Sequence, residues 1–490
     1  MQPSSRSAKG RPGVISTAAW TVLAATLLIV AWGVFAFGSV YPWAYVPLAL
    51  ASAIVGVLGV TTGTRPVLAG SRPMWWALAG IVIIGLVQLV PLPLSVLAIV
   101  SPGTIDYLRR SDLTFALGAD TVAGTAPVLS HAISIAPALT VRALALLLSP
   151  ALLIAGLTRS LSRTAAFILS TGIVIIGTAV ALIGITQKIV LGDHAFGGMR
   201  IYGFWQPESL LTTPFGPFVN KNHFAGWMLM AIPVAIGLAA SGVANAQSRL
   251  RGRGLRSFLV WSSEPEGGRS MLFLLAAAFM TLSLFMTGSR SGMTCLAVVL
   301  AALLFAGRRR MSVQMTAVMG VCVALGTAAL LQWASADAAL QRFGDSSASL
   351  ASRLNIWRSA LGTLRLFPWF GSGLDSFGTL MLVYQPEPRG LRYVEAHNDY
   401  LQLLVEGGVL TFVLAIAAII SLVRCIRLRF DAGDDGAEGH WVRVGAAIGL
   451  LAIALQSFVE FSLQMPGNTA LCAALIAIAT YLPAANRPAR

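Results

Sequence analysis

Residues 271–310 read MLFLLAAAFMTLSLFMTGSRSGMTCLAVVLAALLFAGRRR. Two apolar runs flank the sextet TGSRSG, and three arginines close the second run. As a helix, each run approaches the roughly 30 Å of a bilayer's hydrocarbon core, and a helix satisfies its own backbone polar groups there. Arg308, Arg309 and Arg310 mark a cytoplasmic end. The sextet, with Arg290 in it, then turns the chain at the opposite face. The two runs are expected to form a tight helical hairpin.

The same pattern extends outward over the 490 residues, 56% of them hydrophobic and 11% charged, with a mean hydropathy of +0.78. One soluble core could not bury so much apolar surface. About twelve spans are expected, near 15–38, 43–62, 74–92, 139–157, 164–188, 222–242, 270–287, 291–307, 312–333, 401–424, 441–463 and 467–484. The run from Val14 to Gly38 follows Arg6, Lys9 and Arg11 like a signal peptide. It is too long for one and lacks a clear cleavage site, so it reads as the first span. Cys295, Cys322, Cys425 and Cys472 have neither zinc nor disulfide-framework spacing.

The net charge of +15 does not imply a nucleic-acid partner, because basic residues of membrane proteins gather in cytoplasmic loops. With the N-terminus inside, 21 of the 34 basic residues fall in inner segments, mostly short ones. Both termini are therefore expected in the cytoplasm. The long outer segments are about 93–138, 189–221 and 334–400. Within the last, SASLASRLNIWRSALGTLRLF repeats Leu350, Leu354, Trp357, Leu361 and Leu364 at helical spacing. It reads as a surface or capping helix whose Arg353, Arg358 and Arg365 meet solvent or headgroups. The expectation is one all-α integral membrane domain over 1–490, with 334–400 as a large periplasmic loop containing short amphipathic helices. Membrane lipids are its surroundings.

Four polar clusters lie at outer span ends, where ionisable groups are costly unless they serve a site or find partners. GPFVNKNHFAG opens the sixth span with Asn220, Lys221, Asn222 and His223. Its helix N-terminus suits an anion. The asparagines also suit N-caps and Lys221 an interface, so both readings stay open. TGSRSG offers turn donors together with the Arg290 guanidinium, a combination suited to phosphate oxygens. RYVEAHNDYLQLLVEGGVLTF places His397 between Glu395 and Asp399, with Arg389 and Arg392 just before it. A histidine there can act as a general base. EFSLQMPGN contributes Glu460, Gln464 and Asn468. Glu406 and Glu460, inside apolar runs, are functional candidates or partners for outer arginines.

The acidic pairs Glu264/Glu266 and Asp434/Asp435 fall in inner loops, and no phosphate-binding or dinucleotide-binding glycine motif occurs. No metal or cofactor is expected. Chemistry at the outer face must use a substrate energised elsewhere, such as a lipid pyrophosphate. A transporter is the alternative of another class, but it would place polar groups near the midplane and often show inverted repeats.

In this order the clusters resemble the O-antigen ligase and polymerase superfamily of bacterial inner membranes, from about residue 165 onward. NKNHFAGWMLMAIP is similar to the family's Asn-x-Asn-x-x-Ala segment, and TGSRSG to its Ser-Arg-Ser/Gly turn. His397, Asn398, Gly408 and Thr411 fit the ligase signature, and FSLQMPGNTALCAAL is also typical. The resemblance implies a GT-C-like, metal-independent transferase in the inner membrane with its active site facing the periplasm. It would move a glycan from undecaprenyl pyrophosphate to an acceptor hydroxyl on lipid A-core, another glycan or a protein. Polymerase and protein O-oligosaccharyltransferase activities share the motifs. Carried over, Arg290 would hold the pyrophosphate and His397 would activate the acceptor. Arg389 and Arg392 would be further phosphate contacts by neighbourhood, with Lys221, Asn220, Asn222 and Asn398 lining the site. The first 160 residues carry no matching motif, which leaves Arg109, Arg110 and Arg142 unassigned.

Overall fold

In the computed structural model, residues 16–65, 71–117, 129–191, 200–208, 213–250, 260–307, 353–385, 392–433 and 436–482 are described. Besides short helices at Leu94–Val100, Pro102–Ser111 and Leu113–Leu117, the chain forms α1 (Thr17–Phe35), α2 (Pro42–Thr62), α3 (Arg72–Val87), α4 (Pro137–Ser160), α5 (Arg163–Leu191), α6 (Lys221–Leu250), α7 (Pro265–Met286) and α8 (Arg290–Gly307). After the helix at 353–363 come α9 (Phe377–Tyr384), α10 (Asp399–Ala432), α11 (Gly436–Gln456) and α12 (Pro466–Thr480). Among the described residues, eight helices are long and apolar enough to cross a membrane: α1, α2, α4, α5, α6, α7, α10 and α11. The shorter apolar helices α3, α8 and α12 fall on three more expected spans. The span expected at 312–333 lies outside the described residues.

The bundle is built around α6, which packs on α11, α7, α5, α8 and α12. Its middle is small or apolar on every side, so it is buried nearly all round, with Trp227, Met228 and Ile232 fully enclosed. Of the first two expected spans, α2 packs mainly on α4, while α1 packs on α2, α12 and α5. Gly56 of α2 faces the Leu152 backbone of α4, which is possible only without a side chain. A short antiparallel ribbon, β1 (Pro91–Pro93) with β2 (Ser130–Ala132), ties together the segment between α3 and α4.

Three local expectations change. Helices α7 and α8 are joined by only three residues but do not form a tight hairpin. Instead α8 leans onto α11 and α6. Gly292 permits this, since a Cβ there would lie 2.8 Å from the Ala225 Cβ of α6. The run expected as a span to 463 stops being helical at Gln456, so Glu460 sits in an irregular turn. In helix 353–363 the protein-facing edge is Ile356, Ala360 and Thr363, while Leu354 and Leu361 are exposed. Apolar periodicity marks its exposed side as well as its packed side.

Helix α10 is broken at Gly408, whose φ of 68° and ψ of −177° leave the helical region. The chain at 368–373 wedges into the break. Val409 N donates to Pro368 O (2.9 Å), and Ser372 N and Gly373 N donate to Val405 O and Glu406 O. A Cβ on residue 408 would lie 2.3 Å from Trp369 O, so glycine is required twice over.

Candidate functional site

One end of the bundle gathers residues from four distant segments around the Glu460 carboxylate, which is 1% exposed. Its Oε1 accepts from Arg353 Nη2 (2.6 Å) and from Asn222 Nδ2 (2.8 Å), and its Oε2 lies 3.5 Å from His397 Nδ1. Arg353 also donates to Val459 O at 2.7 Å. Burial alone would push the Glu460 carboxyl upward. The hydrogen bond with His397 and the charge of Arg353 outweigh it and hold the group below the ordinary glutamate value. The site therefore contains a buried anion, clamped by an arginine and an amide and aimed at an imidazole.

His397 is 32% exposed at its side chain and has a φ of 50°. This left-handed backbone costs about 1–3 kcal/mol outside glycine and is characteristic of functional turns. The next residue, Asn398, caps α10 by accepting from Leu401 N at 3.0 Å. Asp399 then anchors the helix start. Its carboxylate accepts from Ser457 Oγ (2.7 Å) and Gln464 Nε2 (3.2 Å), while its own N–H donates to Ser457 O. The ring of Phe461 stands edge-on between two histidines, 5.0 Å from His397 and 4.6 Å from His223.

Asn220 and Asn222 take different roles. Asn220 Oδ1 accepts from Asn222 N (2.8 Å) and so caps α6, whereas the Asn222 side chain reaches Glu460. The α6 N-terminus thus already faces an anion, the chain's own carboxylate. Gln456 Nε2 donates to Asn222 O, and Asn468 Nδ2 to His223 O. Lys221 is the first residue of α6 and is half-buried. Arg290 is the first residue of α8 and is exposed. Ser289 precedes it and accepts from Gly292 N. Because Gly292 abuts Ala225, one turn beyond Asn222, Arg290 belongs to the same end of the bundle as Glu460 and His397. Arg392 is exposed in the irregular segment leading to His397, and Arg389 lies outside the described residues.

Glu406 is bound by neighbours other than an arginine. It accepts from Asp375 N (2.8 Å) and Phe377 N (3.0 Å), capping α9, and from Gln402 Nε2. Gln402 Nε2 also donates to Glu395 Oε2 at 2.6 Å. Burial pushes the Glu395 carboxyl up to about 7, against the lowering effect of that bond. Arg142 pairs with Asp375 (2.6 Å) and Arg110 with Asp106 (2.9 Å), so both have partners within the fold.

Arg353, expected to meet solvent or headgroups, instead binds the buried Glu460. Its place on an amphipathic helix made it look solvated, and the only signal was Glu460, a buried acid in need of a cation. Gln402 and Gln456 carried no motif and no charge, so nothing in the sequence separated them from other helix glutamines.

No curated protein matches the chain. The family model described as O-antigen ligase matches residues 275–416, the stretch that carries Arg290, Arg353 and His397, and so supports the resemblance to the O-antigen ligase and polymerase superfamily.

Proposed function

We propose that the protein transfers a glycan from undecaprenyl pyrophosphate to an acceptor hydroxyl at the periplasmic face of the bacterial inner membrane, in the manner of an O-antigen ligase. The observation that carries this reading is the convergence of Arg353, Asn222 and His397 on the buried Glu460, at the end of the bundle where Arg290 begins α8. The chain serves as a single, GT-C-like membrane domain of about twelve spans with cytoplasmic termini. Its loop at 334–400 lies on the periplasmic side.

Glu460, kept ionised by Arg353, orients His397 with the Nδ1 proton toward the carboxylate, which leaves Nε2 as the base. The acceptor oxygen attacks the anomeric carbon of the donor sugar and gives its proton to Nε2. The bond from that carbon to the phosphate oxygen breaks, and its electron pair leaves with undecaprenyl pyrophosphate. Arg290, and the basic residues near His397, stabilise the charge that grows on the leaving oxygen. Arginines supply all the cations of this scheme, so it calls for no metal.

Polymerase and protein O-oligosaccharyltransferase activities use the same steps with another acceptor. The surface glycan profile of a deletion strain separates them. Unligated lipid-linked glycan marks a ligase and shortened chains a polymerase, while an unchanged profile rejects both. Arg290→Ala is expected to abolish complementation with membrane insertion intact, and full complementation by that variant would remove the pyrophosphate role.

A further inference from the structure

The loop between α1 and α2 and the turn at 201–205 carry no motif, yet they build the densest aromatic cluster in the described structure. Phe37 lies at its centre, with ring centroids 6.1 Å from Tyr41, 5.9 Å from Trp43, 5.6 Å from Tyr202 and 5.0 Å from Trp205. Tyr41 stacks on Trp43 at an interplanar angle of 9°, and Tyr202 stacks on Phe204. Trp43 is 48% exposed and Phe204 69%, so each stack ends in an exposed ring. We propose that this cluster is a glycan-binding platform, on which pyranose rings of the transferred chain lie while their reducing end is at the Glu460–His397 site. The inference rests on the proposed transfer reaction.

Three features separate the platform from an ordinary interfacial belt of aromatics. A belt residue turns its polar tip to headgroups and water. Here the tips of Tyr202 and Trp205 turn inward, with Tyr202 Oη donating to Phe35 O (2.7 Å) and Trp205 Nε1 to Tyr41 Oη (3.4 Å). Phe37, Ser39 and Tyr202 have φ of 59°, 55° and 56°, conformations that L residues adopt at a cost and that gather at binding sites. Lipid anchoring calls for no such backbone.

The cluster also adjoins the site. A Cβ on Gly38 would touch the Phe218 ring (2.9 Å), and one on Gly467 would lie 3.0 Å from Gly38 O. Phe218 precedes the α6 cap Asn220, and Gly467 precedes Asn468, which bonds His223 O. Uncharged flat rings suit the apolar C–H face of a neutral sugar, and leave its hydroxyl edge in water. Rings fixed by packing lose little freedom on binding.

The test uses the full chain in lipid nanodiscs and the oligosaccharide released by mild acid from the host's lipid-linked glycan. That probe has neither lipid nor pyrophosphate. In saturation-transfer difference NMR the wild-type protein should label the sugar ring C–H protons. Phe204→Ala and Trp43→Ala should each weaken that binding and raise the KM for lipid-linked donor about tenfold, with kcat and thermal midpoint little changed. Phe204→Tyr should behave as wild type. Phe204 is the most open ring, so its removal does not threaten folding. Wild-type saturation and transfer in both alanine variants would overturn the platform and leave the reaction standing. So would no saturation of the probe by wild-type protein. Binding lost in both variants supports the platform, even with no transfer by the wild type, an outcome that counts against the proposed reaction alone.

Discussion

Arg353 and Glu460 are 107 residues apart in the chain and 2.6 Å apart in the fold, guanidinium against a carboxylate almost entirely removed from solvent. The pair joins the helix at 353–363 to the turn between α11 and α12, and it helps to fix the charge state of the group that faces His397.

Glu460→Gln keeps the shape of the side chain and removes its charge. The imidazole then loses the anion that orients it. Transfer should fall by about 100-fold or more, the usual size of a lost acid–base contribution, while the protein still inserts. Kinetics of lipid-linked glycan transfer in nanodiscs, with His397→Ala alongside, provide the measurement. An unaffected rate in Glu460→Gln would separate the carboxylate from the chemistry.

Arg353→Met leaves Glu460 buried with only its amide and imidazole partners. Removing one member of a buried pair costs up to about 3–5 kcal/mol, and less here because Arg353 is 22% exposed. The thermal midpoint should drop clearly. In the double variant Arg353→Met/Glu460→Gln the loss should be smaller than the sum of the single losses, by roughly 0.5–3 kcal/mol of coupling. Unfolding of all four proteins in one detergent reads that coupling.

Gly408→Ala should be poorly tolerated. Alanine at a φ of 68° is strained by about 1–3 kcal/mol, and its methyl would meet Trp369 O at 2.3 Å. The variant is expected to give little monodisperse protein. By contrast Gly362→Ala, with nothing within 4 Å of the added methyl, should purify like wild type in size-exclusion chromatography.

Glu395 predicts the direction of a pH effect. Its folded value of about 7 lies above its ordinary value of 4.5, so between those two pH values the folded protein binds more protons than the unfolded chain. Its contribution to stability therefore grows as pH falls from about 7 toward 4.5 and is lost as pH rises through 7. Glu395→Gln should flatten the midpoint-versus-pH curve in that window. A wild-type slope retained in the variant would assign the effect to another group.

How much of this was legible beforehand depended on the kind of signal. The long helices lie on the expected spans because a run of about 20 apolar residues has few other fates. His397 and Asn398 could be placed at a helix start because capping chemistry is local. Glu460 was placed inside a helix because Phe458, Val459 and Phe461 continue its apolar run. The turn there is set by tertiary bonds, such as Asp399 N–H to Ser457 O, which hydropathy does not register. Arg353 reads as a solvent- or headgroup-facing residue for a related reason. Its role is defined only by a partner more than a hundred residues away, across segments that the sequence gives no means of docking.

The break at Gly408 also bears on how the protein sits in membranes of different thickness. A continuous 34-residue helix from Asp399 to Ala432 would act as one rod, and any change in its tilt would swing the end that carries His397. With the break, and with residues 368–373 bonded across it, the segment that carries His397 is fastened to that stretch of chain. A change of tilt in the remainder of the helix, which packs on α3, would not be passed rigidly through such a break. The joint therefore works as a mechanical isolator, letting the helix adjust to its lipids while the histidine keeps its register with Glu460.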